Sequence, residues 1–208
     1  MRRAAKRNVG RLLLILVTAF VAHHHWANRA FDPGPGRVAP REPVQLELRP
    51  KPTFEFKGYR MTALARFDLE ARVLSARRYR HDASAALSPI DLALGWGPMS
   101  DGAVLDAIDI SQGGRFYRWS TRTPPIPLTE IGLHSANMHM IPASPQVAEA
   151  LAGIRRGHVV RVSGELVQAE GRDGFRWRSS LTRSDAGGGA CELIFVRRIE
   201  VVDPGVHS

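Results

Sequence analysis

The stretch Ser144-Pro145-Gln146-Val147-Ala148-Glu149-Ala150-Leu151-Ala152-Gly153-Ile154-Arg155-Arg156-Gly157 carries the clearest structural signal in this sequence. Ser144 can cap a helix whose first residue is Pro145. Three apolar residues then fall on one face of that helix: Val147, Leu151 and Ile154. The two arginines that follow complement the C-terminal end of the helix dipole, and Gly157 supplies the stop. The stretch therefore predicts one amphipathic helix.

Strand patterns follow this helix directly. Apolar residues within 160–166 mark one strand, and Asp173-Gly174 supplies a turn. Alternating residues at 175–181 predict the returning strand. Glycines 187–189 then make a flexible connection to residues 191–196, a mostly apolar run that predicts a last, largely buried strand.

Strand patterns also precede the helix. Apolar and charged residues alternate within 67–73, which is the period of a half-buried strand. Residues 115–119 (Arg-Phe-Tyr-Arg-Trp) are rich in aromatic residues that favour strands. Residues 101–110 fit either a short helix or a strand with flanking turns.

This order of elements resembles the OB-fold, a small β-barrel whose helix lies between its third and fourth strands. The resemblance covers residues 67–202, and its most suggestive stretch is His158-Val159-Val160-Arg161-Val162-Ser163-Gly164. The predicted fold class is mainly β with one helix, an OB-like β-barrel preceded by an N-terminal membrane anchor or signal segment. Residues 121–143 form a longer connection between strand and helix than a minimal barrel needs.

The N-terminus has the layout of a membrane-targeting segment. Residues 1–11 carry five bases and no acid, and residues 12–22 form an uncharged apolar run. Neutral residues continue from there, so residues 12–28 are predicted to contact the membrane. The bases hold the amino end in the cytoplasm, which predicts a single-pass inner-membrane protein with a periplasmic C-terminal domain. The alternative is a cleaved signal and a periplasmic product.

These signals divide the chain into four parts. Residues 1–31 are predicted to be a signal-anchor segment, and the proline-rich residues 32–53 a stiff, extended linker. Residues 54–203 are predicted to form the OB-like barrel domain, and residues 204–208 a tail. Alternation within 44–48 predicts a short edge strand inside the linker.

Composition limits the classes of partner. The chain has 208 residues, of which 44% are hydrophobic and 24% charged, which excludes a wholly disordered chain and a polytopic membrane protein. Its formal net charge is +9, but five of its 29 lysines and arginines lie in residues 1–11. The excess of basic over acidic residues in the rest of the chain is small, which argues against nucleic acid as a partner. An envelope protein or an anionic ligand is the partner class that we predict.

Residues 115–119 are the first candidate for ligand binding. Strand alternation predicts that Arg115, Tyr117 and Trp119 share one face of a central barrel strand, with Phe116 opposite them in the core. An arginine beside two aromatic residues is typical of binding hot spots. In the competing interpretation, Tyr117 and Trp119 pack beneath residues 121–143 and bind nothing.

The returning strand is the second candidate. Arg176 and Arg178 point away from Phe175 and Trp177 in the predicted strand. Their guanidinium groups suit an anionic or sugar-like ligand. The alternative is a core face backed by an ordinary solvated face.

Catalytic function has weaker support in the sequence. Cys191 with His134 or His158 would make a thiolate–imidazole pair, which is the basis of the alternative prediction of a periplasmic enzyme, for instance a hydrolase. However, Cys191 leads into an apolar strand, where cysteine more often behaves as a small hydrophobic residue. The sequence lacks a Gly-x-Ser-x-Gly elbow, a His-Glu-x-x-His motif and a phosphate-binding glycine loop. We therefore predict a membrane-tethered, exported, non-catalytic binding or assembly module of the cell envelope.

The sequence predicts no cofactor and no metal site. A single cysteine excludes an intrachain disulfide and a cysteine-rich zinc module. The adjacent histidines 23–25 cannot all converge on one ion from a helix or a strand. His134 and His139 are five residues apart, a spacing that places them on the same face of neither element.

Overall fold

The computed structural model describes residues 30–182 and 191–203, together with Thr18. This part of the chain is mainly β with few helices, as the sequence predicted. Glycines 187–189, the tail 204–208 and the predicted anchor, apart from Thr18 and residues 30–31, lie outside the described residues. In the ranges that are described, no helix combines the length and the apolar character needed to cross a bilayer.

Ten strands succeed one another along the described chain: β1 (Val44–Glu47), β2 (Thr53–Phe56), β3 (Tyr59–Arg78), β4 (Ile90–Gly95), β5 (Asp109–Gly113), β6 (Phe116–Ser120), β7 (Ser135–Pro142), β8 (Val159–Glu170), β9 (Arg176–Arg178) and β10 (Glu192–Val202). The α-helices among these residues are α1 (Gly102–Leu105), α2 (Leu128–Leu133) and α3 (Pro145–Gly153), and a 3-10 helix spans Gly97–Ser100.

Five of the strands pair in a circuit. β3 pairs with β4, β4 with β7, β7 with β10, and β10 with β8, which pairs again with β3. All of these pairs are antiparallel except β7 with β10, which is parallel. β3 can reach several partners because it is 20 residues long and has irregular register near Leu64 and Leu74, where a strand bends.

The main core lies on one face of these five strands. Each strand contributes buried apolar side chains to a single cluster, among them Phe67, Leu92, Met138, Val162 and Ile194. The alternation predicted within residues 67–73 is confirmed, since Phe67, Leu69, Ala71 and Val73 are all buried there.

Helix α3 closes the same cluster, and its prediction is confirmed. The hydroxyl Oγ of Ser144 accepts a hydrogen bond from the backbone N–H of Val147 at 3.3 Å. The three residues of the predicted face, Val147, Leu151 and Ile154, pack into the core cluster. The helix ends at Gly153, before Gly157. Gly157 instead has a φ of +91° and donates its N–H to the carbonyl oxygen of Val73 at 2.8 Å.

Two short α-helices precede α3. A short helix was one of the two predicted alternatives for residues 101–110, where α1 lies, whereas α2 was not predicted. The carboxylate of Asp101 accepts a hydrogen bond from the N–H of Ala103 at 3.0 Å, which starts α1, and Pro127 precedes α2. Each has at most six residues, so neither has room for the repeated apolar spacing that identified α3.

The strand predicted at residues 115–119 forms, but outside the main sheet. Among the described strands, β6 pairs only with β5, in a separate two-stranded hairpin, so it is not a central strand of the five-strand circuit. Its faces are also the reverse of the prediction, because Phe116 is 42% exposed and not in the core. Tyr117 and Trp119 pack instead against a second cluster that contains Met99 and Ile131.

The segment predicted as a linker packs against the folded part. The predicted edge strand is present as β1, which pairs with β3. Val38 and Ala39 are buried, and the N–H of Ala39 donates to Oγ of Ser100 at 3.1 Å. Part of residues 32–53 therefore belongs to the folded unit, because its apolar residues find buried contacts that proline density alone does not reveal.

Candidate binding surface

The returning strand is shorter than predicted but has the predicted alternation. β9 spans only Arg176–Arg178, which pairs with β8. Arg176 and Arg178 are exposed, whereas the side chain of Trp177 packs against a cluster that contains Leu193 and Phe195. Backbone pairing therefore fixes the two guanidinium groups on the solvent side of the strand.

Strand register adds a third arginine to this side. Glu170 on β8 lies opposite Arg60 on β3 and opposite Arg176 on β9, so the three residues form one row across three strands. Nε of Arg60 donates to Oε2 of Glu170 at 3.1 Å, and Nη2 of Arg176 lies 3.1 Å from Oε1. The hydrogen bonds from Arg60 are the main cause that lowers the pKa of Glu170 below its ordinary value.

A second row lies beside the first. Gln168 is opposite Arg178, whose Nη1 donates to Oε1 of Gln168 at 2.8 Å. The amide of Gln168 in turn donates to Oε1 of Glu170 at 2.8 Å, which connects the two rows. We call this surface the arginine face and define it by these residues: Arg60, Gln168, Glu170, Arg176 and Arg178.

The arginine face has the chemistry to bind an anion. Arg60 and Arg176 contact the carboxylate of Glu170, while Arg178 is bonded to Gln168 and a second carboxylate, Glu55 on β2, lies opposite Arg60. The side chains of Arg60 and Arg176 are 65% and 70% exposed. Exposed ion pairs of this kind contribute only about 0–1 kcal/mol, so an incoming carboxylate or phosphate can compete for the same donors. Planar guanidinium groups also offer two parallel N–H donors to such a group.

Arg115 is placed differently from its prediction. It precedes β6 with a φ of +69°, and its guanidinium stacks 3.8 Å above the ring of Tyr79. Nη1 donates to Oδ1 of Asp91 and to the carbonyl oxygen of Ser88, while Nε and Nη2 donate to the carboxylate of Asp82. Four of its donor contacts are thus made within the chain, which makes Arg115 a clamp between the hairpin and β4.

Beneath Arg115 lies a polar cluster that sequence reasoning missed. Asp91 and His139 are opposite each other on β4 and β7 and are both buried. Nδ1 of His139 lies 2.9 Å from Oδ1 of Asp91, and its ring centroid lies 4.6 Å from that of Trp177. The only signal in the sequence was an acid inside the apolar run 90–95, and it did not identify the partner.

Tyr117 and Trp119 do not join Arg115 on an exposed face. Both are half-buried against the second cluster, which includes Ile131 from residues 121–143. The hydroxyl of Tyr117 donates to Oγ of Ser135 at 3.2 Å. Burial raises the pKa of Tyr117 to about 12, because the charged phenolate loses its hydration there.

The candidate catalytic residues have separate surroundings. Nε2 of His134 lies 2.9 Å from Glu42, and its Nδ1 lies 3.2 Å from Glu130. The amide nitrogen Nδ2 of Asn137 lies 3.8 Å from Sγ of Cys191.

His158 packs elsewhere, edge-on against the ring of Phe31. Burial, and then the charge of Arg155, lower its pKa below the ordinary value. Among the described residues, no three or more His, Cys, Asp or Glu side chains are grouped so that they could hold a metal ion.

Comparison with known proteins adds no relative: no family model, no curated protein and no solved structure matches this chain. The class of protein therefore has to come from its strand pairing, its surface charges and its N-terminal sequence.

Proposed function

We propose that this chain is a membrane-tethered, exported and non-catalytic binding module of the cell envelope, and that its folded part is an OB-like β-barrel. Three observations support the barrel. The five-strand pairing returns to its starting strand, its parallel pair joins the third and fifth strands, and α3 lies between the third and fourth.

The N-terminal sequence supports the tether. Five bases precede an uncharged apolar run, the order expected of a segment that keeps its amino end in the cytoplasm. The folded part would then be periplasmic, held at the inner membrane by residues 12–28 or released from it by signal cleavage.

The exposed arginine face is the observation that carries the binding role. Its three guanidinium groups are fixed by strand pairing, while the reverse side of β9 is packed into a hydrophobic cluster. A positively charged surface whose arginines are placed by strand pairing suits an acidic patch on an envelope protein. The histidines weighed for catalysis have other contacts: His134 lies against the carboxylates of Glu42 and Glu130, and His158 packs against the ring of Phe31.

A topology experiment tests the placement. Alkaline phosphatase folds only outside the cytoplasm, so a fusion after Arg37 is expected to be active and a fusion after Arg11 inactive. A stable but inactive fusion after Arg37 would contradict export. The size of the membrane-bound product, compared with that of the untreated translation product, separates an anchor from a cleaved signal.

A crosslinking experiment tests the surface. A photoreactive phenylalanine analogue replaces Arg176 in the full chain, and the control replaces Arg198, an equally exposed arginine on β10. We expect an adduct with an envelope protein from position 176 only, and its loss when Arg60 and Arg178 are changed to Glu. An adduct of equal yield at both positions, or one that survives the charge reversal, contradicts the proposal.

A further inference from the structure

A small apolar pocket lies between helix α3 and the ends of β3, β4 and β7. It is at the opposite end of β3 from Arg60 of the arginine face. Its volume is about 100 Å³. The walls on the strand side include Ile90 of β4 and Pro142 of β7. The helix contributes Ala148, Leu151 and Ala152. The small side chains of the two alanines leave the space open.

One charged side chain forms the rim of this pocket. Nη2 of Arg78 donates to the carbonyl oxygens of Ala152 and Ile154, so the guanidinium is held at the C-terminal end of α3. Within the described ranges, its Nε and Nη1 groups make no hydrogen bond. Donors therefore remain for a ligand beside an apolar cavity.

The surroundings of the rim are also basic. Arg155 and Arg156 follow α3 directly, where the charge of Arg155 acts on His158 and that of Arg156 on Arg72. At the pocket itself the cation is Arg78, and the helix end beside it carries a partial charge of only about −0.5. The local charge favours an anionic group at the mouth of the pocket.

The volume restricts what can enter. Pockets for drug-sized ligands and cofactors measure roughly 300–1,000 Å³, and a dry cavity of roughly 150 Å³ accepts benzene. A space of about 100 Å³ fits one branched aliphatic side chain and is too small for a cofactor or a long acyl chain.

We infer that this pocket is a second binding site, which takes an aliphatic side chain of an acidic peptide segment while a carboxylate of that segment pairs with Arg78. The anchor residue supplies apolar burial, and the charge pair fixes its orientation. The partner is thus a protein segment in which Asp or Glu flanks a Leu, Ile or Val. This inference goes beyond the arginine face and does not require it.

Fluorescence anisotropy of the full chain in detergent tests the site. The probe is a labelled short peptide of Asp and Glu with one central Leu, and the matched peptide has Ser in place of Leu. We expect saturable binding of the Leu peptide, and affinity at least tenfold weaker for the Ser peptide. Charge reversal of Arg176 and Arg178 should leave this binding unchanged, which separates this test from that of the arginine face.

Protein variants place the peptide in the pocket. Ala152→Leu fills the cavity from an exposed helix position and is expected to weaken binding at least tenfold, whereas Ala150→Leu, an exposed substitution on the same helix that does not line the pocket, should change it less than twofold. Arg78→Gln should weaken peptide binding, whereas the control variant Arg77→Gln should not. Thermal melting checks that each variant is folded.

Three results would overturn the inference. One is the absence of saturable binding of the Leu peptide to the folded parent chain. Another is equal affinity in the Ala152→Leu and Ala150→Leu variants. In the third, Ala152→Leu leaves peptide binding unchanged but alters self-association of the chain or its binding to anionic vesicles.

Discussion

Nη1 of Arg115 lies 2.8 Å from Oδ1 of Asp91, a carboxylate whose side chain is fully buried. The guanidinium itself is only 17% exposed and also holds Asp82, so one side chain joins the β5–β6 hairpin, β4 and the segment between β3 and β4. Arg115 lowers the pKa of the Asp82 carboxyl through its hydrogen bonds. This geometry gives Arg115 a structural role.

Replacing Arg115 is expected to destabilise the fold. Arg115→Ala leaves the carboxylate of Asp91 buried without its cationic partner, which costs about 3–5 kcal/mol when a buried ion pair loses one member. The free energy of unfolding from urea denaturation of the full chain measures the loss. Arg118→Ala, an exposed change on the same hairpin, should cost less than about 0.5 kcal/mol. Equal stability of the two variants would contradict the clamp.

The core face of α3 gives a second prediction. Leu151 is 1% exposed in the main cluster, so Leu151→Asp places an unpaired carboxylate in an apolar environment and should cost several kcal/mol, on the order of the full stability of a small domain. Ala150→Asp on the exposed side is the control. Far-ultraviolet circular dichroism and thermal melting report the outcome. If the Leu151→Asp variant melts at the same temperature as its parent, this face of α3 is not buried in the core.

Gly164 makes a third test possible. A Cβ atom at this position of β8 would lie 2.2 Å from the carbonyl oxygen of Phe195 on β10, a contact with backbone that no side-chain movement relieves. Gly164→Ala should therefore lower the free energy of unfolding by about 2 kcal/mol or more. Gly153→Ala, where a Cβ meets no atom within 4 Å, should be neutral or stabilising. If Gly164→Ala leaves the free energy of unfolding unchanged, β8 and β10 do not approach each other so closely.

Alkaline pH should destabilise the protein through Tyr117. Tyrosine in an unfolded chain has a pKa of about 10, and burial raises the pKa of Tyr117 to about 12. Between these values only the folded state keeps the proton, so this stabilisation is complete below about pH 10 and is lost as the pH rises toward 12, at about 1.4 kcal/mol per pH unit.

The matched variant for this effect is Tyr117→Phe. Urea denaturation of both proteins at a series of pH values above 9 gives the difference in unfolding free energy, in which groups common to the two chains cancel. The difference should shrink as the pH rises, because only the parent has the Tyr117 hydroxyl to lose a proton. If the difference in unfolding free energy stays constant with pH, the hydroxyl of Tyr117 is exposed to water and not buried.

Part of the site could be predicted from the sequence because it depends on strand alternation alone. Arg176 and Arg178 lie two residues apart on β9, so any strand there sends both to one side and Trp177 to the other. Arg60 could not be added in this way. It lies 110 residues from Glu170, and only the register of β3 on β8 brings them together.

The hairpin shows where the same reasoning failed. Alternation within residues 115–119 was correct as a local pattern, but it does not state which face meets the core. The orientation depends on the second cluster, because Tyr117 and Trp119 pack against it and Phe116 is therefore exposed to solvent. Arg115 left the pattern altogether, because its positive φ turns it out of the strand toward Asp91.

By itself, the sequence determined α3 and the alternating faces of β3, since a cap, a 3.6-residue period and a two-residue period involve only residues near one another in the chain. Tertiary structure alone decided which strands are neighbours. It placed Asp91 beside His139, made Arg115 a clamp, completed the arginine face with Arg60 and opened the pocket under α3. The physical reason is that register and packing depend on contacts between residues far apart in sequence, whose free energies no local pattern encodes.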